Sequence, residues 1–229
     1  MLGSAEIADR LAAVRARVAA AARRSGREPG AITLVLAAKT QPPAAIQAAY
    51  DAGARDFGEN YVQEAATKRA ALGELVGARW HLIGHLQTNK VRLAATLFDL
   101  IHSVDSARLA AALGGVRHAP PIRVLLEVNL GAEASKSGAA PGDLEGLISS
   151  AREQVEIAGL MTIPPPGDTP ESARRYFSEL RLLRDRLAER RGLALSELSM
   201  GMTDDFETAI EEGATIVRVG RAIFGARTR

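Results

Sequence analysis

Eight short apolar runs, each followed by a segment of helical character, constrain this chain more than any other feature of its sequence. The runs are Ile32–Ala38, Arg55–Gly58, Arg79–Ile83, Phe98–Ser103, Ile122–Asn129, Val155–Met161, Leu195–Met200 and Thr215–Val219. Several, such as Ile32–Ala38 and Val124–Leu130, are continuously apolar rather than alternating, which is the pattern of parallel strands covered on both faces. Helical segments are predicted between them, at Pro42–Ala52, Tyr61–Leu72, Asn89–Ala95, Ser106–Leu113, Pro141–Arg152, Pro170–Arg191 and Asp204–Glu212, and an amphipathic helix at Met1–Arg24 precedes the first run. Thr169 before Pro170, and Thr203 before Asp204 and Asp205, read as helix starts. Eight β/α repeats in 229 residues predict a (β/α)8 TIM-type barrel with an extra N-terminal helix, in a single domain spanning 1–229. A doubly wound open sheet is the lesser alternative, weakened because no Gly-x-Gly-x-x-Gly turn follows the first run. The Pro164–Asp168 stretch reads as a βα loop of the same barrel rather than as a linker.

Composition narrows the chemistry. The chain has no cysteine, so disulfides, thiolate nucleophiles, iron–sulfur clusters and the usual structural zinc sites are excluded. Its 29 basic and 27 acidic residues leave a net charge of +2, basic residues never cluster beyond pairs, and aromatics are 4%. Nucleic-acid binding is therefore not expected. No apolar stretch approaches the ~20 residues of a membrane span, and Met1–Arg24 lacks the apolar core of a signal peptide, so no membrane association and a cytoplasmic location are expected. Only four of the basic residues are lysines, at positions 39, 68, 90 and 136, which makes each worth separate attention.

In such a barrel, function sits where strands end and βα loops begin. Those ends supply Lys39, Gly58-Glu59-Asn60, Gly84-His85, Ser103, Asn129, Thr162, Ser199–Thr203 and Gly220-Arg221. Lys39 closes the first run and would project into a partly desolvated mouth, where a lowered pKa favours the neutral amine that attacks carbonyl carbon. A Schiff-base lysine is one reading; a lysine snorkelling to solvent is the other. Ser199, Thr203 and Gly220, in the loops after strands seven and eight, are suited to hold a phosphate, with Arg218 as a charged partner, provided that Asp204 and Asp205 point away. The same glycine turns could be helix caps. His81, His85 and Glu59 invite a metal reading, but His81 and His85 bracket a strand end where they need not converge, and a core role for His81 is favoured. Glu127, Asn129, Glu133 and Lys136 could position a ligand or form a solvated loop; the sequence leaves this open.

Taken together, Ala38–Thr40, Gly58–Glu64, His81–Lys90, Val128-Asn129 with Lys136–Gly138, Gly159–Pro164, Ser199–Asp205 and Arg218–Gly225 resemble the pyridoxal 5′-phosphate homeostasis proteins, whose barrel is similar to the N-terminal domain of alanine racemase. The resemblance covers nearly the whole chain, with Thr203 where the family more often has serine. It implies that Lys39 forms a Schiff base with pyridoxal 5′-phosphate and that Ser199, Thr203, Arg218 and Gly220 surround the phosphate. With Asn60 from the second motif, these are the expected cofactor-binding residues. The function it implies is cofactor homeostasis without robust catalytic turnover, with apo-enzymes as recipients. Alanine racemase completes its site with a second domain and a tyrosine, and the chain ends about five residues after Phe224, so a two-base racemase is not expected. The competing class is a lysine Schiff-base enzyme, either a pyridoxal-phosphate enzyme acting on an amino acid or a barrel aldolase.

Overall fold

The computed structural model describes residues 2–116, 120–133, 136–167 and 169–225. Eight parallel strands close in sequence order into a barrel, each strand paired with its chain neighbours and β8 with β1. The strands are β1 (Thr33–Ala37), β2 (Asp56–Glu59), β3 (Arg79–Leu82), β4 (Leu100–Val104), β5 (Arg123–Glu127), β6 (Glu156–Met161), β7 (Glu197–Ser199) and β8 (Ile216–Val219). Around them lie α1 (Ser4–Arg24), α2 (Pro43–Asp51), α3 (Val62–Leu72), α4 (Val91–Leu97), α5 (Ala107–Gly114), α6 (Leu144–Ala151), α7 (Arg174–Arg191), α8 (Phe206–Glu211) and the single turn α9 (Arg221–Phe224). The predicted (β/α)8 barrel with an added N-terminal helix is the fold observed.

Most boundaries fall within two residues of the sequence expectation, and the exceptions have local causes. The segment from Asn89 opens as a 3-10 turn over Thr88–Lys90 before α4, and Pro170 likewise starts a 3-10 turn before α7. Thr203 is not a helix cap. Asp205 precedes α8 and its carboxylate accepts the Met202 N–H at 2.6 Å, so the chain between Ser199 and Phe206 is a loop.

Strand alternation sorts side chains into two apolar layers. Outward-facing residues such as Leu36, Phe57 and Leu82 pack beneath the helices, where α1 buries Ile7, Leu11, Val14 and Val18 against α2, α8 and α9. The inner layer, with Val35, Leu100, Leu125, Ala158 and Ile216, is smaller. The rest of the barrel interior is polar: His81, His102, Ser199 and Arg218 are all buried. An interior built this way costs stability unless every polar atom finds a partner.

Candidate functional site

The alternation that turns Val35 and Ala37 inward carries on to Lys39, two residues past the last β1 residue, and brings it to the C-terminal mouth of the barrel. There Lys39 is half-buried and lines a cavity of about 460 Å³. Asn60 after β2, Thr203 after β7, and Arg218 and Gly220 at the end of β8 line the same cavity. Five of the six expected cofactor-binding residues are thus brought together from four strand ends far apart in sequence.

Ser199 is not among the lining residues. It is fully buried in the barrel, and its hydroxyl lies 2.9 Å from His102 Nδ1 and accepts from Arg218 Nη1 at 2.6 Å. Arg218 also donates from Nη1 to the Ser199 carbonyl and from Nη2 to the Thr162 carbonyl, both at 3.0 Å. These three hydrogen bonds, all from Nη1 and Nη2, hold the guanidinium inside the barrel beneath the cavity, and no hydrogen bond from Nε is seen among the described residues. Burial pushes this guanidinium down to about 10, against the pull of Glu127 and Asp205, so it keeps its charge at neutral pH.

The remaining wall is backbone. The N–H groups of Thr203, Asp204, Gly220 and Arg221 donate to no protein acceptor among the described residues. A Cβ on Gly220 would stand 3.0 Å from the Ala37 carbonyl oxygen, so a side chain here would press the loop away from β1 by a few tenths of an ångström. Asp204 is neutralised by an ion pair with Arg221, and the Asp205 carboxylate is engaged by Met202. The two acids that would oppose an anion are thus both occupied. Asn60 Oδ1 is buried without a hydrogen-bond partner among the described residues. Unfilled donors on two loops, a buried cation beneath them and a lysine lining the same cavity fit a phosphate-bearing aldehyde such as pyridoxal 5′-phosphate.

A smaller cavity of about 260 Å³ shares Asn60, Ile83 and Ile163 with the first and is lined by His85, Glu127, Asn129 and Lys136. Burial raises the Glu127 carboxyl to about 7, helped by the nearby Asp105 charge and opposed by Arg218. Lys136 pairs with Glu133 at 2.8 Å, and the Asn129 side chain accepts the Glu133 N–H and donates to its carbonyl, so the loop after β5 closes on itself. His81, His85 and Glu59 do not converge. His81 lies in the interior between Asp56 and His102, His85 faces Asp105 and Ser137 at the surface, and Glu59 pairs with Lys68. A larger groove of about 630 Å³ between the start of α1 and α2 has Arg10 as its one charged wall residue among the described residues, and Arg10 is paired with Glu6.

Two features escaped the sequence reading. His102 and Asp56 belong to a buried polar chain that only the barrel's closure assembles. Lys68, on a helix, sits 6% exposed against Glu59 and Glu64.

Comparison with known proteins identifies the family. Residues 10–228 match the alanine racemase N-terminal domain family. The chain is 47% identical over 225 residues to the pyridoxal phosphate homeostasis protein of Pseudomonas aeruginosa, covering 96% of each chain, and 44% identical over 233 residues to that of Escherichia coli, covering 97% of each. Among solved structures it is similar to PipY of Synechococcus elongatus with PLP bound, with a TM-score of 0.85 and 40% identity over 96% of this chain and 100% of that one. Alanine racemase from Corynebacterium glutamicum, at 21% identity and a TM-score of 0.74, shares the barrel over 62% of its length. With its closed barrel, its strand-end lysine and these relatives, the chain belongs to the alanine racemase N-terminal domain family and, within it, to the pyridoxal phosphate homeostasis proteins.

Proposed function

We propose that this protein binds pyridoxal 5′-phosphate at the barrel mouth, holds it covalently through Lys39, and serves the homeostasis of that cofactor without robust turnover of its own. The observation that carries the reading is one cavity lined by Lys39 and by two loops in which, among the described residues, the N–H groups of Thr203, Asp204, Gly220 and Arg221 have no protein acceptor. The relatives named for this role, and the PLP-bound neighbour, support it.

When bound, pyridoxal phosphate supplies an electrophilic aldehyde carbon and an electron-accepting ring. Lys39 contributes the amine. The Thr203 hydroxyl and the N–H groups of Thr203, Asp204, Gly220 and Arg221 take the phosphate oxygens, and Arg218 adds positive charge from below. Asn60, whose Oδ1 has no hydrogen-bond partner among the described residues, orients a donor on the ligand. Transfer to apo-enzymes and a cytoplasmic location complete the proposal; among the described residues no helix is long and apolar enough to cross a membrane.

The test is spectroscopic and chemical. The purified protein is expected to be yellow, to bleach on borohydride, and to yield a labelled peptide carrying Lys39. A colourless protein that traps a keto substrate would identify an aldolase instead.

A further inference from the structure

Both peptide groups that flank Lys39 are held by one buried charge cluster. The carbonyl of Ala38, in the peptide before Lys39, accepts from Lys68 Nζ at 2.7 Å. The N–H of Thr40, in the peptide after it, donates to Glu64 Oε1 at 2.6 Å. The same Glu64 oxygen lies 2.7 Å from Lys68 Nζ, and Glu59 Oε1 takes a further hydrogen bond from that ammonium at 2.8 Å. Lys68 and Glu59 are buried, whereas Glu64 is partly exposed.

Two planar peptides set the φ and ψ of the residue between them, so this cluster fixes the direction in which the Lys39 side chain leaves the strand. The clamp works against a local preference. Thr40 sits at φ +64°, a left-handed conformation that a β-branched residue adopts only when its surroundings require it. The turn it makes ends β1 abruptly and carries the chain toward α2, with the Gln41 N–H also bonding the Ala38 carbonyl at 3.0 Å. Burying the charged Lys68 and Glu59 here is expensive, and among the described residues Glu59 Oε2 has no hydrogen-bond partner. An apolar cluster would join α3 to β1 and β2 more cheaply, but it would offer neither a donor for the Ala38 carbonyl nor an acceptor for the Thr40 N–H.

We propose that Lys68, Glu64 and Glu59 are positioning residues for Lys39: they lock the two peptides on either side of it and so aim its amine into the cofactor cavity. The inference rests on the reading of Lys39 as the anchoring amine. In the anchoring step the Lys39 nitrogen forms a double bond to the aldehyde carbon, and the aldehyde oxygen leaves as water carrying the two amine hydrogens. That step needs the nitrogen over the face of the aldehyde carbon, so misdirection of the lysine slows it without altering how the phosphate is held.

The experiment mixes cofactor-free protein with pyridoxal 5′-phosphate and follows the visible band and the borohydride-trapped fraction over time. Glu64→Ala, which leaves Lys68 its Glu59 and Ala38 partners, is expected to slow attachment at least about fivefold, and Glu64→Gln, which keeps an acceptor for Thr40, to stay within about twofold of wild type. Lys68→Met is expected to slow attachment as well, and decides the matter if circular dichroism shows that Glu64→Ala does not fold. Introduced into a Lys39→Ala background, the same changes are expected to leave noncovalent cofactor affinity within about twofold. Wild-type attachment rates in folded variants would overturn the proposal, and so would an equal loss of noncovalent affinity, which would mean general damage to the site. Label that persists in Lys39→Ala alone would instead overturn the anchoring reading.

Discussion

Arg218 and Thr203 approach the cavity with different resources. Thr203 offers one neutral hydroxyl, worth about 0.5–1.5 kcal/mol, whereas Arg218 offers a desolvated charge, worth about 1.5–3 kcal/mol in a hydrogen bond, even with three donors engaged by Ser199 and Thr162. Arg218→Gln is therefore expected to reduce the preference for pyridoxal 5′-phosphate over pyridoxal more than Thr203→Ala does. Taking the ratio of the two affinities cancels the loss of folding stability that Arg218→Gln also brings. If the preference survives in Arg218→Gln and falls in Thr203→Ala, the loop donors alone hold the anion. Glu127 yields a pH prediction with a definite sign. Its carboxyl is raised to about 7 by burial, so between the ordinary value of 4.5 and about 7 the folded state binds more protons than the unfolded. Stability from this group is full at low pH and is lost as pH rises through 7. Thermal unfolding of Glu127→Gln should accordingly fall less between about pH 5 and 8 than that of wild type, by up to a few kcal/mol. Parallel curves would place Glu127 in contact with solvent.

At the level of elements, strand packing sets limits that the sequence shows only in part. Gly159 in β6 pairs with Glu197 in β7, and a Cβ there would lie 1.9 Å from the Glu197 carbonyl oxygen, which is backbone and cannot swing aside. Gly159→Ala is expected to cost about 1–3 kcal/mol or more, read as a lowered unfolding midpoint. An unchanged midpoint would show that β6 and β7 can part without penalty. The barrel itself was legible because continuous apolar runs such as Ile32–Ala38 are short, regularly spaced and separated by helical periodicity. Lys39, Asn60, Thr203 and Gly220 were legible as strand-end residues, since a (β/α)8 barrel gathers all such ends at one mouth. The start of α8 was not: Thr203 followed by two acids reads as a helix cap, and only the fold shows Asp205 taking the Met202 N–H. Lys68 was hidden for another reason. A lysine on a polar helix normally faces water, and nothing local announces that α3 will press it against Glu59 and the Ala38 carbonyl.

Across the whole molecule, residues from five strands form one polar chain through the barrel, and the protons along it can be placed by working inward from both ends. Burial would raise the Asp56 carboxyl, but hydrogen bonds with His81 and Arg79 outweigh it and keep the group ionised below its ordinary range. Asp56 can then only accept, so His81 Nε2, at 3.0 Å, carries a proton. At the other end Arg218 can only donate, so Ser199 Oγ accepts from it, and the one acceptor within reach of the Ser199 hydroxyl hydrogen among the described residues is His102 Nδ1, to which it donates a hydrogen bond. Burial, reinforced by the nearby Arg218 charge, holds the His102 imidazole well below its usual value, so it is neutral and, with Nδ1 accepting from Ser199, its single proton sits on Nε2. That proton meets His81 Nδ1 at 3.0 Å, and the chain closes with every hydrogen directed from Arg218 toward Asp56. The cation beneath the mouth cavity is thus oriented by a path that ends at Asp56, the first residue of β2. Long-range proton–nitrogen NMR correlation is expected to find His81 and His102 both protonated at Nε2 and bare at Nδ1, with His102 unchanged from about pH 8 to about pH 5. In Ser199→Ala the donor to His102 Nδ1 is lost, and about 1–3 kcal/mol of stability should go with it. A His102 protonated at Nδ1 in the wild type would reverse the direction of the chain, turn the Ser199 hydroxyl away from His102, and leave Arg218 without the relay that joins it to Asp56.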